Sequence, residues 1–242
     1  MTLNVHEPVL KTGTIQTAVS ISPQNLVDCH RLIQQVTAKL SAIDFVEWRL
    51  DAWQVPADLL TAARLINQID RPLILTIRTK HDGGQFNGNL AVYQTLYQTL
   101  IKQHIGQLID LEWHVPLATR QSLGQLAQTA GYQVILSQHD LVATKPTAIL
   151  QQELAAMAVE PAIDIVKLAT TAQTKNDTIR LLDVTRQFTE QDPHPLITMA
   201  MSELGQASRI LGGQFGCCLT FGYLETPSAP GQLPIDQLKS LL

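Results

Sequence analysis

The sequence predicts an α/β fold, a single-domain (β/α)8 TIM barrel spanning residues 1–242. Three observations lead there. Short apolar runs alternate with longer amphipathic segments along the whole chain. The strand–helix unit recurs eight times at roughly 25 to 35 residues, the size of such a unit in a barrel of about 250 residues. No linker or low-complexity stretch divides the 242 residues. A doubly wound open sheet is the rival, and it would more often carry a Gly-rich phosphate turn after its first strand. Here that turn reads "SISPQN", without GxGxxG.

The elements follow in order. "TIQTAVSI" reads as the first strand, and "QNLVDCHRLIQQVTAKL" after it has helical period. "IDFVEWRL" and "PLILTIR" are the second and third strands, followed by "ADLLTAARLINQI" and "NLAVYQTLYQTLIKQ". "QLIDLEW" leads to "LATRQSLGQLAQTA", and "YQVILSQ" to "TAILQQELAAMA". The sixth strand, "AIDIVKLAT", is β-branched and bounded by Pro161 and a Thr/Gln/Lys/Asn cluster, as a strand covered on both faces reads. "NDTIRLLDVTRQFTEQ" follows it. "PLITMAM" and "CCLTFG" complete the eight.

Composition excludes several classes. Hydrophobic residues make up 45% and charged residues 16%, enough for one sizeable core. The net charge of -4, with no Lys/Arg cluster, argues against nucleic acid or an anionic membrane surface as a partner. The three cysteines, Cys29, Cys217 and Cys218, form no CxxC pair and no disulfide framework. They fit a reducing, cytoplasmic compartment and ordinary core positions. The opening "MTLNVHEPVLKTGTIQ" does not read as a signal peptide, and no run of 18 or more apolar residues is present.

In a barrel the chemistry sits where the strands end. Strand one ends near Ser20, strand two carries Glu47, Arg49 and Asp51, and strand three ends at Arg78. Strand four ends at Glu112, strand five at His139 and Asp140, and strand six carries Lys167. Glu47 and Arg49 are two apart and share a strand face, with Trp48 and Leu50 on the other. Such a pair can hold a polar ligand or simply plug the barrel mouth as a structural ion pair. Arg78 reads equally as a surface charge, and His139 as a satisfied hydrogen-bonding residue. Lys167 is the sharpest feature, being the lysine with apolar residues on both sides within a strand. It reads either as a side chain snorkelling to the barrel mouth or as an amine nucleophile that forms a Schiff base with a carbonyl substrate.

Several motifs resemble type I 3-dehydroquinate dehydratase. They are "EWRLD" on strand two, "TIRTKHDGG" after strand three, "SQHD" on strand five and "DIVKLA" on strand six, with the C-terminal "TMAMSELGQASRILGGQFGCCLTFGYLETPSAPGQ". The resemblance covers essentially the whole chain, in order and at compatible spacing. It implies a cofactor-free, metal-free (β/α)8 lyase of the shikimate pathway, cytoplasmic and homodimeric. The implied reaction dehydrates 3-dehydroquinate to 3-dehydroshikimate by syn elimination.

Residue roles are carried by the same likeness. Lys167 would attack the C3 ketone, and the iminium would acidify the C2–H. His139 would assist carbinolamine formation, take the C2 proton and protonate the departing C1 hydroxyl. Ser20, Glu47 and Arg49 match positions that contact substrate hydroxyls, with Arg49 also close to the lysine. Arg78 matches a substrate-contacting arginine, and Arg209 would pair with the substrate carboxylate. Ser228 and Gln232 lie on a loop resembling a lid, while Met199, Met201 and Phe221 would furnish apolar wall. Asp82 departs from the pattern, standing where the family usually has a glutamate that orients the histidine. One methylene shorter, it leaves His139 to be held through water or by another acid such as Glu112. Two other functions fit less well. A sugar-phosphate aldolase would be expected to show a phosphate turn near "TPSAPGQ", and a non-catalytic metabolite sensor would be expected to lack the Lys or the His.

Overall fold

A computed structural model describes residues 9–242. Residues 1–8, which begin both the 1–242 domain and the segment read for a leader, lie outside the described residues.

Strands and helices alternate strictly. In chain order they are β1 (Gln16–Ile21), α1 (Leu26–Ala38), β2 (Phe45–Arg49), α2 (Leu59–Ile66), β3 (Leu73–Thr76) and α3 (Leu90–Lys102). Then come β4 (Leu108–Glu112), α4 (Leu117–Thr129), β5 (Gln133–His139), α5 (Thr147–Ala158), β6 (Ile165–Thr171) and α6 (Lys175–Gln191). The chain finishes with β7 (Leu196–Met201), α7 (Gln206–Leu211), β8 (Leu219–Gly222) and α8 (Ile235–Leu241). Helix starts are specified locally. Asn25 and Asn89 accept the backbone N–H of Asp28 and Val92, Thr174 and Asp177 form a capping box, and Pro116, Pro146 and Pro234 precede α4, α5 and α8.

The strands form one parallel sheet in the order β7-β6-β5-β4-β3-β2-β1-β8. It closes nearly completely, with Leu196 bridging Cys217 and the Cys218 N–H donating to Leu196 O at 2.9 Å. Along that seam the Cys217 thiol stands where ladder bonds would continue. Its Sγ lies 3.4 Å from the Thr198 N–H and 3.6 Å from the Thr198 carbonyl. The eighth strand therefore starts at Leu219 rather than at the cysteines. Strand β3 also stops early, at Thr76, because the next two N–H groups turn elsewhere. Ile77 donates to the Tyr97 hydroxyl at 3.0 Å and Arg78 to Asp51 at 3.2 Å.

Side chains alternate between two layers. Outward residues such as Val46, Trp48, Leu75, Ile109 and Leu111 pack under the helices. Inward, the lowest tier is wholly apolar: Ala18, Phe45, Ile74, Leu108, Ile135, Ile165, Ile197 and Leu219, with Leu10 joining the same cluster. Two residues further along each strand stand Ser20, Glu47, Thr76, Asp110, Ser137, Lys167, Met199 and Phe221. Six of the eight strands thus change from hydrocarbon to ionisable or hydroxyl side chains in one step, and the buried site sits on a dry floor.

Phe45 tests that floor. Phe45→Ala is expected to destabilise the fold by about 3–5 kcal/mol, the range for truncating a buried aromatic. Equilibrium urea unfolding would measure it, and a loss under about 1 kcal/mol would mean that the tier repacks freely.

Candidate functional site

One cavity of about 150 Å³ opens above this tier. That is small beside the roughly 300 Å³ at which drug-sized pockets begin, so it suits a single small ring. All nine side chains singled out as site residues line it: Ser20, Glu47, Arg49, Arg78, His139, Lys167, Arg209, Ser228 and Gln232. Met199, Met201 and Phe221 are also on its wall.

Lys167 is buried, with its Nζ 2.8 Å from Asp110 Oδ2, 3.6 Å from Glu47 Oε1 and 4.9 Å from the centre of the Phe221 ring. It does not snorkel to solvent. Asp110 is the residue that sequence reasoning missed. Its Oδ2 also accepts Arg78 Nη2 at 2.8 Å, and its Oδ1 accepts the Ser137 hydroxyl at 2.5 Å. Burial works against its charge, yet Arg78 and Lys167 hold its carboxyl well below the usual carboxylate range. A signal existed: Asp110 interrupts the apolar run "QLIDLEW" just as Lys167 interrupts "DIVKLA".

Other expected pairings are redistributed. Glu47 and Arg49 share a face but do not pair with each other. Glu47 accepts the Ser20 hydroxyl at 2.5 Å and the Thr76 hydroxyl at 3.0 Å. Burial raises its pKa, but Lys167 and then Arg49 outweigh that and keep it low. Arg49 forks onto Asp51 through two bonds of 2.8 Å, so its guanidinium is bound to its own strand end rather than free beside the lysine. Arg78 likewise is no surface charge. Besides Asp110 it reaches Ser137 at 2.8 Å and Glu112 at 3.4 Å, fully inside the barrel mouth. Gly84 permits this placement, since a Cβ there would lie 2.0 Å from the Arg78 carbonyl oxygen.

The shorter acid at position 82 reaches the histidine directly. Asp82 Oδ2 lies 3.1 Å from His139 Nδ1, with no water or second acid needed. Glu112 is turned away, accepting the Thr79 N–H at 3.0 Å. Its pKa rises to about 7, first by burial and also through Asp82 and Asp110, against the pull of Arg78. His139 is pushed down to about 4 by burial and by the Arg78 and Lys167 charges, despite Asp82. Its imidazole is therefore neutral at pH 7. The proton on Nδ1 faces Asp82, which leaves Nε2 as a free base.

Arg209 presents the opposite case, a buried cation with no carboxylate partner among the described residues. Its Nη2 donates to Pro230 O at 3.2 Å, its Nη1 lies 3.8 Å from Met199 Sδ, and its Nε has no partner among the described residues. Burial lowers its pKa to about 10, against an opposing effect of Cys217. An unpaired buried guanidinium on a cavity wall is a place for an anion. The loop carrying its Pro230 contact is self-braced, with the Ser228 N–H donating to Gln232 Oε1 at 2.7 Å. Gly231, at φ +80°, fits that loop over the Ser202 carbonyl, where a Cβ would come within 2.1 Å.

A parallel barrel that gathers a buried amine, a neutral imidazole and a buried guanidinium around one small cavity at its strand ends has the layout of a barrel enzyme. The sequence profile of the type I 3-dehydroquinases matches residues 17–242. The chain is 56% identical over 231 residues to a 3-dehydroquinate dehydratase of Latilactobacillus sakei subsp. sakei (strain 23K), covering 96% of this chain and 95% of that one. It is 35% identical to a 3-dehydroquinate dehydratase of Enterococcus faecalis (strain ATCC 700802 / V583), over 82% and 81% of the two chains. A crystal structure of the type I 3-dehydroquinate dehydratase of Clostridium difficile, with covalently modified comenic acid, superposes with a TM-score of 0.88 at 27% identity. The match covers 96% of this chain and 92% of that one. The chain belongs to the type I 3-dehydroquinase family and is a hydro-lyase.

Asp110→Asn would leave two buried cations facing a neutral amide. Removing one partner of a buried ion pair costs about 3–5 kcal/mol, so the variant should unfold at markedly lower urea with an unchanged m-value. Stability within about 1 kcal/mol of the parent would show that Asp110 does not anchor the cluster.

Proposed function

We propose that this chain dehydrates 3-dehydroquinate to 3-dehydroshikimate by syn elimination through a Lys167 Schiff base, with His139 as general base and then acid. The observation that carries the reading is a buried amine lining the same cavity as an imidazole that burial and neighbouring cations keep neutral and that Asp82 orients. Family membership supplies the substrate.

The steps balance as follows. A proton leaving Lys167 Nζ passes to His139 Nε2, and the amine adds to the C3 carbonyl carbon while its remaining extra proton goes to the carbonyl oxygen. The carbinolamine hydroxyl takes the first proton back from His139 and leaves as water. The resulting iminium withdraws electrons from C2, so His139 Nε2 takes the C2 proton and the C2–H pair becomes the enamine. The enamine expels the C1 hydroxyl, which takes the same proton from His139 and leaves as water on the same face. Water then adds to the conjugated iminium and returns Lys167. Asp82 stabilises the imidazolium each time it forms. Glu47, through its bonds to Ser20, Thr76 and Lys167, fixes the amine's height above the floor.

Binding follows from charge and shape. Arg209 takes the substrate carboxylate, since among the described residues it alone of the three cavity arginines has no acid partner. Arg49, Ser20 and Gln232 meet ring hydroxyls, and Ser228 with Gln232 closes the loop over the ring. Arg78 works mainly by holding Asp110 while its edge borders the substrate. The apolar wall of Met199, Met201 and Phe221 keeps water from the imine. Residues 1–242 act as one catalytic unit without metal or cofactor. The cytoplasmic homodimer of a shikimate-pathway enzyme belongs to the same reading, and three buried, unpaired cysteines suit a reducing compartment.

With 3-dehydroquinate, the absorbance of the conjugated enone product should rise in the presence of the protein and stay flat with Lys167→Ala. Turnover retained by that variant would end the imine reading. His139→Ala should lower kcat by about 10²–10⁴-fold, the usual share of a general acid–base. Arg209→Met should instead raise KM, with kcat/KM falling about 10- to 100-fold, as loss of a charged hydrogen bond of about 1.5–3 kcal/mol requires. An unchanged KM would move the carboxylate elsewhere.

A further inference from the structure

We infer that His81, Asp82 and His114 form a binding site for a divalent transition-metal ion whose occupancy suppresses turnover by taking Asp82 away from His139. The inhibitory half rests on the proposed role of Asp82. The site itself rests on geometry alone.

The three residues are the one group of three metal-competent side chains brought together among the described residues, with their ligand atoms within 4.8 Å of one another. His81 Nδ1 lies 2.7 Å and His114 Nδ1 3.6 Å from the same oxygen, Asp82 Oδ1. Tetrahedral coordination at about 2.0–2.1 Å requires donor separations of about 3.3 Å, which those two values bracket. The two imidazoles stack, with ring centres 4.0 Å apart and planes at 23°.

Outer contacts orient the ligands as metal-binding histidines require. His114 Nε2 lies 3.2 Å from the Thr79 hydroxyl and 3.9 Å from Glu112 Oε2, so its Nδ1 is the end left for Asp82. Asp82 is buried, whereas the His81 side chain is 65% exposed, so an ion can enter from solvent and keep a water as fourth ligand. A cleft of about 300 Å³ walled by Phe86, Tyr93 and Val115 borders both imidazoles. Two imidazoles and one carboxylate select zinc, cobalt, nickel or copper over magnesium and calcium, which prefer all-oxygen shells.

One carboxylate joins this site to the reaction. Asp82 gives Oδ1 to His81 and Oδ2 to His139. An ion on Oδ1 displaces the His81 proton to solvent and neutralises the carboxylate's charge. Asp82 then no longer stabilises the imidazolium of His139. The sequence carried both histidines, in "TKHDGG" and "LEWHVP", 33 residues apart, and only the barrel rim brings them together.

The full-length protein is first assayed with 3-dehydroquinate in chelator, then titrated with Co²⁺ followed by visible absorption, and with Zn²⁺ followed by turnover. The inference expects one Co²⁺ per chain with a tetrahedral visible band. His81→Asn and His114→Asn should each weaken Co²⁺ binding by about tenfold or more. Zn²⁺ should inhibit the parent reversibly and each variant, relative to its own chelated rate, at correspondingly higher concentration. A missing band, binding indifferent to both substitutions, or full occupancy without loss of turnover would overturn it. Absence of turnover in chelator would count against the dehydratase reading instead, and the Co²⁺ titration would still decide the metal site.

Discussion

A carboxylate closed off from water stands between two cations at the centre of this barrel, and the site is arranged around it. Asp110 accepts Lys167 and Arg78 on one oxygen and Ser137 on the other. Without it, Lys167 and the Arg78 guanidinium would keep only Glu47 and Glu112 within ion-pair distance among the described residues. Two buried like charges repel strongly in a low-dielectric interior. Asp110 therefore fixes where the amine sits, which way Arg78 turns, and how far Ser137 is drawn in. In the proposed reaction the amine of Lys167 would meet substrate from a defined position, because its other side is already occupied.

A second carboxylate repeats the device at the histidine with the opposite result. Asp82 holds the Nδ1 proton of His139, yet burial and the Arg78 and Lys167 charges keep the ring neutral. The cluster thus separates its two reactive nitrogens: one on a side chain paired with acids, the other a free base on a ring surrounded by cations. Environments that push neighbouring groups apart in this way assign acid and base roles. Arg209 completes the field as the cavity arginine without an acid partner among the described residues, and in the proposed reaction it takes the anionic end of the substrate while Lys167 and His139 supply nucleophile and base at the other.

The fold and most of the site could be read in the sequence, because the relevant signals are local and periodic. Alternation of apolar runs with helical segments marked the eight strands, and the (β/α)8 topology then gathered residues far apart in sequence at one rim. Helices α7 and α8 had no comparable signal, being six and seven residues long. The partners of each side chain were less legible. Spacing put Glu47 and Arg49 on one face, but whether they pair is decided by Ser20, Thr76 and Asp51 on neighbouring elements. Asp82 looked too short for His139 because its reach was judged by side-chain length. The fold nonetheless brings Asp82 Oδ2 to 3.1 Å from His139 Nδ1.

The central claim is that the Lys167 amine becomes covalently bonded to substrate during turnover. Borohydride reduction in the presence of 3-dehydroquinate, followed by peptide mass mapping, tests it most directly. The account predicts one reduced ligand mass per chain on the peptide containing Lys167, with irreversible loss of activity. A full complement of activity after reduction, or an adduct mapped to any other lysine, would contradict it.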